Sequence, residues 1–506
     1  MKHTFTQKDK LVLQELGISE PDAQEQLRLL RNGTNYTHLE RPATVNDGIL
    51  VLSERKIAKY VALFDTEKPN FSISRFIPAS GMSSRMFKFL YFFLQRYDNK
   101  KETLRSYLNR NKTYKLAIFL GGIEKFPFFD KIRKAINKDQ IQPFEKDYRY
   151  RFIKKTVDVL GSLPKALIPF HKDGPDLRTA SEEQLFFSSE FAVNKGNMNI
   201  HFTIPPSTTR AFEKHLSKTV SELKSLSGVQ TQLSFSHQSK ATDTLVLLND
   251  GSLFRDEDGA LVFRAGGHGA LIGNLNAIEN DIIFLSNIDN ISFKKYHGQT
   301  ALYKKMLAGV LISLQNQIHQ YARALEQDDT VDLIEVKTFL QEKLNVSISK
   351  ALQGNALMSF LKQKLNRPLR VCGMVKNEGE PGGGPFWVKK NGDISLQVVE
   401  GAQVNTKDDQ QQSLFKKGTH FNPVDLVCAV YDYKGDKYDL RKFVDYDAYF
   451  IAEKSVGDTD IKALERPGLW NGAMADWNTV FVEVPVRTFN PVKTINDLLR
   501  PMHQSI

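Results

Sequence analysis

The chain has 506 residues, of which 41% are hydrophobic and 25% charged, and its formal net charge is +11. This length allows about two to four domains with sizeable cores, and the composition is typical of globular proteins. The presence of only two cysteines, Cys372 and Cys428, argues against a disulfide-rich scaffold, and no apolar run is long enough to span a bilayer. Because the N-terminus also lacks an apolar stretch of the signal-peptide type, we expect a cytoplasmic protein without a membrane partner.

The positive charge is concentrated in one part of the chain. Between Arg85 and Lys165 there are 20 Lys and Arg residues against eight Asp and Glu residues. Such an excess can attract polyanions such as nucleotides or nucleic acids, but it is also typical of the solvated surface of inserted helices. No nucleic-acid-binding motif accompanies it. We therefore do not expect nucleic acid as a partner, and a nucleic-acid-binding role for this basic segment is kept only as an alternative.

The first part of the chain is predicted to be largely helical. Apolar spacing and turn residues indicate a helical segment over 1–70, a buried strand at Ile73–Ala79, a basic helical insertion over 87–162 and a helix at Thr179–Glu190. Ser181 and Gln184 have the spacing of a capping box at the start of that last helix.

Beyond residue 197, strands and helices alternate. The predicted order is strand 199–204, helix 209–226, strand 231–236, strand 281–286 and helix 303–325. This alternation predicts an α/β fold with a mostly parallel or mixed sheet. Past residue 367 we expect shorter strands and Gly/Pro-rich turns.

A Gly/Ser loop leads from the predicted strand at 73–79 to Arg85, and it contains Ser80, Gly81, Ser83 and Ser84. Backbone N–H groups in such a loop can converge on a phosphate, and an arginine adds a planar, permanently charged fork. The Gly-Lys-Ser/Thr ending of a Walker loop is missing. An ordinary corner between a strand and a helix explains the loop equally well.

Further residues of chemical interest are Lys165 after Pro164, the turn Gly266-Gly267-His268-Gly269, Asp289 and Lys493. The closely spaced glycines allow close backbone approach to a flat ligand, or simply a tight turn. Asp289 follows a predicted buried strand, where open α/β sheets bind ligands and where an aspartate can hold Mg²⁺, although Asp is also common in turns. Lys493 can neutralise a phosphate or lie on the surface.

Taken together and in chain order, the segments described in the two preceding paragraphs resemble the motifs of the UDP-sugar pyrophosphorylase superfamily. That family has a Gly-Gly-x-Gly-Thr-Arg loop, a Pro-Lys motif, a Gly-rich turn that contacts uridine and an Asn-x-Asp-Asn strand end. Some members also carry a Pro-Val-Lys-x-x-x-Asp-Leu-Leu stretch, which here begins at Pro491. Gln238, Glu400 and Asn422 match further positions of the family. The resemblance covers about residues 73–86 and 163–500.

The resemblance implies a nucleotide-diphospho-sugar transferase-like fold of the glycosyltransferase A type. Its mixed-sheet α/β core would be preceded by a helical segment and interrupted by a helical insertion. The implied boundaries are 1–70 for the N-terminal helical segment, 71–86 and 163–365 for the nucleotide-binding core, 87–162 for the basic insertion, and 366–506 for the sugar-binding and C-terminal part.

The resemblance also implies Mg²⁺-dependent transfer of a nucleoside monophosphate, from UTP, to a sugar 1-phosphate with release of pyrophosphate. Arg85, Lys165 and Lys493 would act on the phosphates, and Asp289 would hold Mg²⁺. The residues expected to bind the nucleotide are Ser80, Gly81, Ser83, Ser84, Gln238, Gly266, Gly267, His268 and Gly269. The residues expected to face the sugar are Gly383, Gly384, Glu400, Asn422 and Asn471.

The chain departs from the family at Ser80 and Ser83, where glycine is preferred, and in the long interval between Arg85 and Lys165. These departures indicate a divergent bacterial branch, of the kind described as a domain of unknown function. They make a non-catalytic protein that binds nucleotide-sugars an alternative to the nucleotidyltransferase. A glycosyltransferase on the same fold, in which Asp289 would bind the metal of the nucleotide-sugar, is a second alternative.

Overall fold

A computed structural model describes residues 4–138, 147–327, 332–380, 382–456 and 459–505. The helices are α1 Gln7–Leu16, α2 Glu20–Asn32, α3 Glu54–Glu67, α4 Lys88–Arg96, α5 Leu104–Asn111, α6 Tyr114–Gly121, α7 Phe129–Ile136, α8 Tyr148–Leu160, α9 Ala180–Ser189, α10 Thr209–Ser227, α11 Ile272–Asn276, α12 His297–Glu326, α13 Leu333–Leu344, α14 Gly354–Leu365 and α15 Asp409–Lys416.

The strands are β1 Leu39–Pro42, β2 Thr44–Val45, β3 Gly48–Leu50, β4 Ile73–Pro78, β5 Pro169–Asp173, β6 Asp176–Thr179, β7 Asn197–Thr203, β8 Gln230–Ser236, β9 Thr244–Leu248, β10 Phe263–Arg264, β11 Ile282–Leu285, β12 Leu369–Met374, β13 Gly384–Lys390, β14 Asp393–Val399, β15 Asp425–Ala429, β16 Phe450–Val456, β17 Thr459–Glu465 and β18 Asn478–Glu483.

The chain divides into two compact units, each assembled from three separate segments. Unit 1 comprises Met1–Ile73, Ser236–Leu285 and Tyr303–Val486, and Unit 2 comprises Ser74–Phe235, Ser286–Leu302 and Arg487–Ile506. The domain boundaries implied by the sequence stay a prediction.

The sheet strands of Unit 1 combine both pairing directions. In its largest sheet, β12 pairs parallel with β18 and antiparallel with β15, which in turn pairs antiparallel with β11. The residues of β11, β12 and β15 are all buried, as expected for central strands covered on both faces. The prediction of an α/β fold with a mixed sheet is therefore confirmed.

Two smaller antiparallel sheets of Unit 1 have the orders β1-β13-β14 and β10-β9-β17-β16. Helices α1 and α2 pack their apolar residues, including Leu13 and Leu27, against a cluster that contains Leu245 of β9 and Leu464 of β17. The last residues of β14 and β17 lead directly to Glu400 and to the segment 466–472, which carry the candidate residues of this unit.

In Unit 2, β4 pairs parallel with β7, and β8 lies beside β7. Helices α4 to α8 lie within the predicted basic insertion, and residues 139–146 of that insertion are outside the described part of the chain. These helices share an aromatic core of fully or almost fully buried side chains, namely Phe93, Phe119, Phe126, Phe128 and Phe152. The insertion therefore combines a basic composition with an apolar interior.

Two local predictions differ from the structure. The segment 1–70 contains α1–α3 as expected, but it also contains β1–β3 because Leu39 and Ile49 are buried by pairing with the distant strands β13 and β18. The capping box of α9 is formed by Thr179 and Glu182, not by Ser181 and Gln184. The helix begins at Ala180, so Thr179 is the N-cap and its N–H donates to Glu182 Oε2 at 2.7 Å.

Within the described residues, none of the helices combines the length and apolar character needed to cross a membrane. Cys372 and Cys428 are both buried and not joined by a disulfide, and burial raises the pKa of the Cys372 thiol to about 11.

The stability of Unit 2 is expected to depend on pH through His201. The ring stacks on Phe76 with centroids 5.5 Å apart, and burial lowers the pKa of His201 to about 4. Below about pH 6.5 the unfolded chain therefore takes up a proton that the folded chain does not. We expect the free energy of unfolding to fall by about 2 kcal/mol between pH 7 and pH 5 from this group alone.

The measurement is chemical denaturation of the wild type and of His201→Phe at both pH values. The substituted protein should lack this part of the pH dependence, whatever its stability at pH 7. An identical loss of stability in both proteins would contradict the assignment.

Candidate functional site

In Unit 2, the Gly/Ser loop and the Pro-Lys segment are joined by backbone hydrogen bonds. The N–H of Lys165 donates to Gly81 O at 3.0 Å, and the N–H of Ser83 donates to Leu163 O at 3.2 Å. The two segments are therefore in direct contact, although Arg85 and Lys165 are 80 positions apart in the sequence.

The side chain of Lys165 forms an ion pair with Asp289. Its Nζ lies 2.6 Å from Asp289 Oδ2, and the two side chains are 17% and 19% exposed. Partial burial reduces the screening of this charge–charge interaction by water. The backbone carbonyl of Asp289 also accepts a hydrogen bond from Val492 N–H at 3.1 Å, so the residue before Lys493 is bound to the same loop.

The two other predicted cations of this unit are exposed. Arg85 ends a 3₁₀ turn at Ser83–Arg85 and is exposed, as is its neighbour Ser84. Lys493 is exposed, with its Nζ 5.8 Å from the centre of the Phe489 ring. Gly81 is exposed, and a Cβ added to it would meet no atom within 4 Å. This side of the loop is thus open to solvent.

Ser83, which is predicted to bind the nucleotide, is bonded within the chain. It is fully buried, and its hydroxyl lies 3.2 Å from Leu160 O and 3.1 Å from Gly161 O at the end of α8. Its N–H is bonded to Leu163 O. Because both polar groups of Ser83 bind the chain itself, the residue anchors the loop to the insertion and offers no free donor to a phosphate.

The part of the chain that the structure describes holds no cluster of three or more His, Cys, Asp or Glu side chains with metal-binding geometry. Without such a cluster, the described residues fit Mg²⁺ only if one or two carboxylates and the substrate phosphates hold the ion together with water. Asp289 suits that mode, because Lys165 contacts its Oδ2 and no described residue donates to its Oδ1.

In Unit 1, three predicted residues converge on Gly468. A Cβ added to Gly468 would lie 2.7 Å from Glu400 Oε1, 2.8 Å from His268 Cε1 and 3.0 Å from Asn471 Oδ1. Any side chain at this position would displace the others, so the cluster requires glycine there. Gly468 is not among the predicted site residues, although its place in the turn Pro467-Gly468 shortly after β17 is a signal in the sequence.

The orientation of His268 is fixed by its neighbours. Its Nδ1 accepts a hydrogen bond from Leu469 N–H at 2.9 Å, and its ring stacks on Trp470 with centroids 4.8 Å apart. An Nδ1 that accepts cannot carry a proton, so the ring proton lies on Nε2, which is 3.4 Å from Glu400 Oε1. Trp470 is a second residue of this cluster that is not among the predicted site residues.

Asn471 has an unusual environment for a buried amide. It is 1% exposed, and neither its Oδ1 nor its Nδ2 has a hydrogen-bond partner among the described residues. The Oδ1 of the half-buried Asn422 is likewise without a partner in the described part of the chain. Buried polar groups are nearly always paired, so these amides have unused capacity to bind a polar ligand.

The glycines of the Gly266–Gly269 turn have a structural explanation. A Cβ on Gly269 would lie 1.9 Å from Pro467 O, and one on Gly267, whose φ is +80°, would lie 2.0 Å from Glu465 Oε2. The close backbone approach expected here is therefore made to the chain itself at 465–467. The turn positions His268 through this packing.

The predicted sugar-facing glycines are packed in a similar way. A Cβ on Gly383 would lie 1.9 Å from Val399 O, and one on Gly384 would lie 2.5 Å from His420 O. Gly383 thus allows the chain at the start of β13 to pass closely beside the end of β14, where Glu400 follows, and Gly384 allows it to approach the backbone of His420.

Gln238 is half-buried and donates from Nε2 to Asp243 Oδ1 at 3.3 Å. Burial raises the pKa of Asp243 above its usual value. Gln238, which is predicted to contact a base, thus already has Asp243 as a hydrogen-bond partner.

The anchoring role of Ser83 can be tested by comparison with its exposed neighbour Ser84. Ser83→Ala removes a hydroxyl with two buried acceptors and is expected to cost about 0.5–1.5 kcal/mol of unfolding free energy. Ser84→Ala, at an exposed position, should change it by less than about 0.5 kcal/mol. Denaturant titration of both variants measures the difference, and equal effects would contradict the anchoring role.

None of the curated proteins matches this chain in sequence. Among solved structures, the chain is similar to a variant of UDP-glucose pyrophosphorylase from Leishmania major in complex with UDP-glucose, with 12% identity, a TM-score of 0.45 and coverage of 99% of this chain and 79% of the other. It is also similar to UDP-glucose phosphorylase from Trypanosoma brucei, with 13% identity, a TM-score of 0.47 and coverage of 98% and 80%. The family described as "Domain of unknown function (DUF4301)" matches residues 6–504, and since this range is nearly the whole chain, the protein belongs to that family.

Proposed function

We propose that this protein is a nucleotidyltransferase that joins a nucleoside monophosphate, from UTP, to a sugar 1-phosphate and releases pyrophosphate. The observation that carries the proposal is the ion pair between Lys165 and Asp289, supported by the bonding of Gly81 to Lys165. Three segments that are far apart in sequence, and that were selected for phosphate chemistry, meet in Unit 2.

The proposed reaction is an in-line displacement at the α-phosphorus. An oxygen of the sugar 1-phosphate forms a bond to that phosphorus while the bond to the oxygen bridging the α- and β-phosphates breaks, and pyrophosphate leaves. No protein nucleophile is needed, so catalysis rests on positioning and charge neutralisation. In the proposal, Arg85 binds the β- and γ-phosphates, and Lys165 and Lys493 neutralise the phosphates around the reacting centre.

Lys165 and Asp289 then have complementary tasks. In the free protein each neutralises the other at 2.6 Å. A bound triphosphate offers the Lys165 ammonium additional anionic oxygens, and the Asp289 carboxylate is the proposed ligand of Mg²⁺. A bound Mg²⁺ would supply further charge neutralisation at the phosphates. The pair thus keeps both charged groups in position before substrate binds.

Recognition of the nucleotide-sugar is assigned to Unit 1. Gln238 and the Gly266–Gly269 turn with His268 are proposed to contact the base, and Glu400, Asn422 and Asn471 the sugar hydroxyls, beside Gly383 and Gly384. The unpaired amide of Asn471 supports this assignment. A sugar hydroxyl both donates and accepts hydrogen bonds, and it can therefore pair with either end of a buried amide.

Binding without turnover is the second candidate function, and Ser83 favours it. In the family motif a glycine stands at this position, whereas here the N–H and the hydroxyl of Ser83 are both bonded within the chain. A loop with fewer free donors stabilises the charge of a triphosphate less well.

One experiment separates the two functions. The full chain is incubated with UTP, Mg²⁺ and a panel of sugar 1-phosphates, and released pyrophosphate is measured. Turnover with at least one sugar 1-phosphate supports the enzyme. A shift of the melting temperature by UDP-glucose, with no pyrophosphate from any substrate, would instead favour the binding protein.

Lys165→Met should lower kcat for pyrophosphate release by about 10²–10³-fold, because a cation near the developing charge is lost. Lys172→Met is the matched control, since Lys172 also pairs with an aspartate of Unit 2, Asp130, at 2.6 Å. The control should keep the wild-type rate. Equal rates in the two variants, both with the melting temperature of the wild type, would remove Lys165 from the reaction.

Asn471→Leu should weaken ligand binding without destabilising the fold. Leucine has the same branched shape and removes two unpaired polar atoms, so the melting temperature without ligand should stay the same or rise. The shift produced by UDP-glucose should be lost.

Asn478→Leu is the control for this substitution. Asn478 is also buried, but its Nδ2 donates to Lys364 O at 2.9 Å. Its replacement should lower the melting temperature while the shift by UDP-glucose remains. A destabilised Asn471→Leu that still responds to UDP-glucose would contradict the proposed role of Asn471.

A further inference from the structure

Arg75 is a buried arginine at the centre of β4. It is 0% exposed, and an arginine removed from water needs hydrogen-bond acceptors around its guanidinium, which both terminal nitrogens have here. NH1 donates to Gln184 O at 3.1 Å and to Ser188 Oγ at 2.6 Å, while NH2 donates to Gln184 Oε1 at 2.8 Å and to Ser286 Oγ at 2.5 Å. The guanidinium thus connects helix α9 with the residue that follows β11.

The bond from Arg75 fixes the amide orientation of Gln184. Because Oε1 faces the guanidinium, Nε2 faces the opposite way, where it lies 3.3 Å from Asn287 O, 3.2 Å from Ile288 O and 3.4 Å from Asn290 O. The reverse orientation would direct an oxygen at three carbonyl oxygens and the NH₂ at a cation, so the geometry admits only this one. One side-chain amide therefore gathers three carbonyls of one loop.

The carbonyls that Gln184 contacts belong to the loop that carries Asp289. The remaining carbonyl of the loop, that of Asp289 itself, accepts from Val492 N–H, and Asn290 Oδ1 accepts from Asn490 N–H at 2.8 Å. Every backbone carbonyl from 287 to 290 therefore has a defined donor or contact, and these bonds hold the backbone from which the Asp289 side chain extends toward Lys165.

We infer that Arg75 and Gln184 are positioning residues for the Asp289 carboxylate, which they hold in the direction needed to bind the metal ion of a metal–nucleotide complex. The inference rests on the proposed function, because it concerns the same carboxylate. Neither residue touches substrate. Both act through the loop Asn287–Asn290, and Ser286 carries the contact of the guanidinium to the start of that loop.

Two serines on the same guanidinium provide a matched pair of variants. Ser286→Ala removes the bond on the loop side, and Ser188→Ala removes the bond on the side of α9. Both serines are buried, at 3% and 0% exposure. Gln184→Met removes the three-way contact with little change of side-chain size, and Asp289→Asn tests the metal ligand itself.

The full-length variants are compared by two measurements that do not require turnover. Hydrogen–deuterium exchange of peptides covering 286–292 reports the order of the loop. Enhancement of water-proton relaxation by Mn²⁺·UTP reports the ternary complex of protein, metal and nucleotide. We expect at least tenfold faster loop exchange and at least tenfold weaker Mn²⁺·UTP binding in Gln184→Met, a smaller change of both in Ser286→Ala, and wild-type values in Ser188→Ala.

The outcomes distinguish the inference from the proposed function. If Asp289→Asn loses Mn²⁺·UTP binding while Gln184→Met and Ser286→Ala keep wild-type values, the inference is overturned and the metal assignment stands. If Ser188→Ala loosens the loop as much as Ser286→Ala, the network is merely structural and the inference is again overturned. If Asp289→Asn binds Mn²⁺·UTP as the wild type does, the metal assignment fails, and the positioning role fails with it.

Discussion

The Lys165–Asp289 ion pair is the contact on which the candidate site of Unit 2 depends. It ties the residue after Pro164 to the loop after β11, while the backbone of Lys165 is bonded to Gly81 and that of Asp289 to Val492. Four chain segments thus share one small region, and a long insertion can be accommodated because its two ends are held by these bonds. In the free protein each charge has its counter-charge, so neither needs to be buried alone.

Much of the secondary structure could be predicted because it depends on local patterns. The strand at 73–78 and the helix at 209–227 follow from apolar runs and helical spacing, and both were predicted to within one or two residues. The N-cap of α9 was misplaced because Thr179 and Ser181 have equivalent chemistry two positions apart, and only the start of the helix distinguishes them. Strands β1 and β3 were missed because they pair with strands far away in sequence, which no local pattern records, and the two-residue strand β2 only extends β3.

The candidate site could be predicted less completely, for a physical reason. Residue type and order selected Lys165, Asp289 and His268, and the resemblance to the UDP-sugar pyrophosphorylase superfamily added Glu400 and Asn471. The structure brings Lys165 and Asp289 into contact and places the other three around Gly468. The glycines at 267 and 269, in contrast, are required by packing against 465–467. A Gly-rich turn that suggests a ligand site is therefore also explained by the packing of the fold. Arg75 gave no signal, and Gln184 was selected only as a capping residue, because an arginine in a strand and a glutamine in a helix acquire this kind of role only through tertiary contacts.

Arg75 and Asn471 illustrate opposite ways in which polar groups are buried. The two terminal nitrogens of Arg75 make four donor contacts, and its guanidinium has cation–π neighbours in Phe187 and Phe191, so the charge is stabilised within the fold. Asn471 is equally buried but has no described partner for either end of its amide. A protein stabilised only for folding would replace such an amide by an apolar side chain. Its position beside Glu400 and His268 supports the proposal that Asn471 binds a ligand, at some expense of stability.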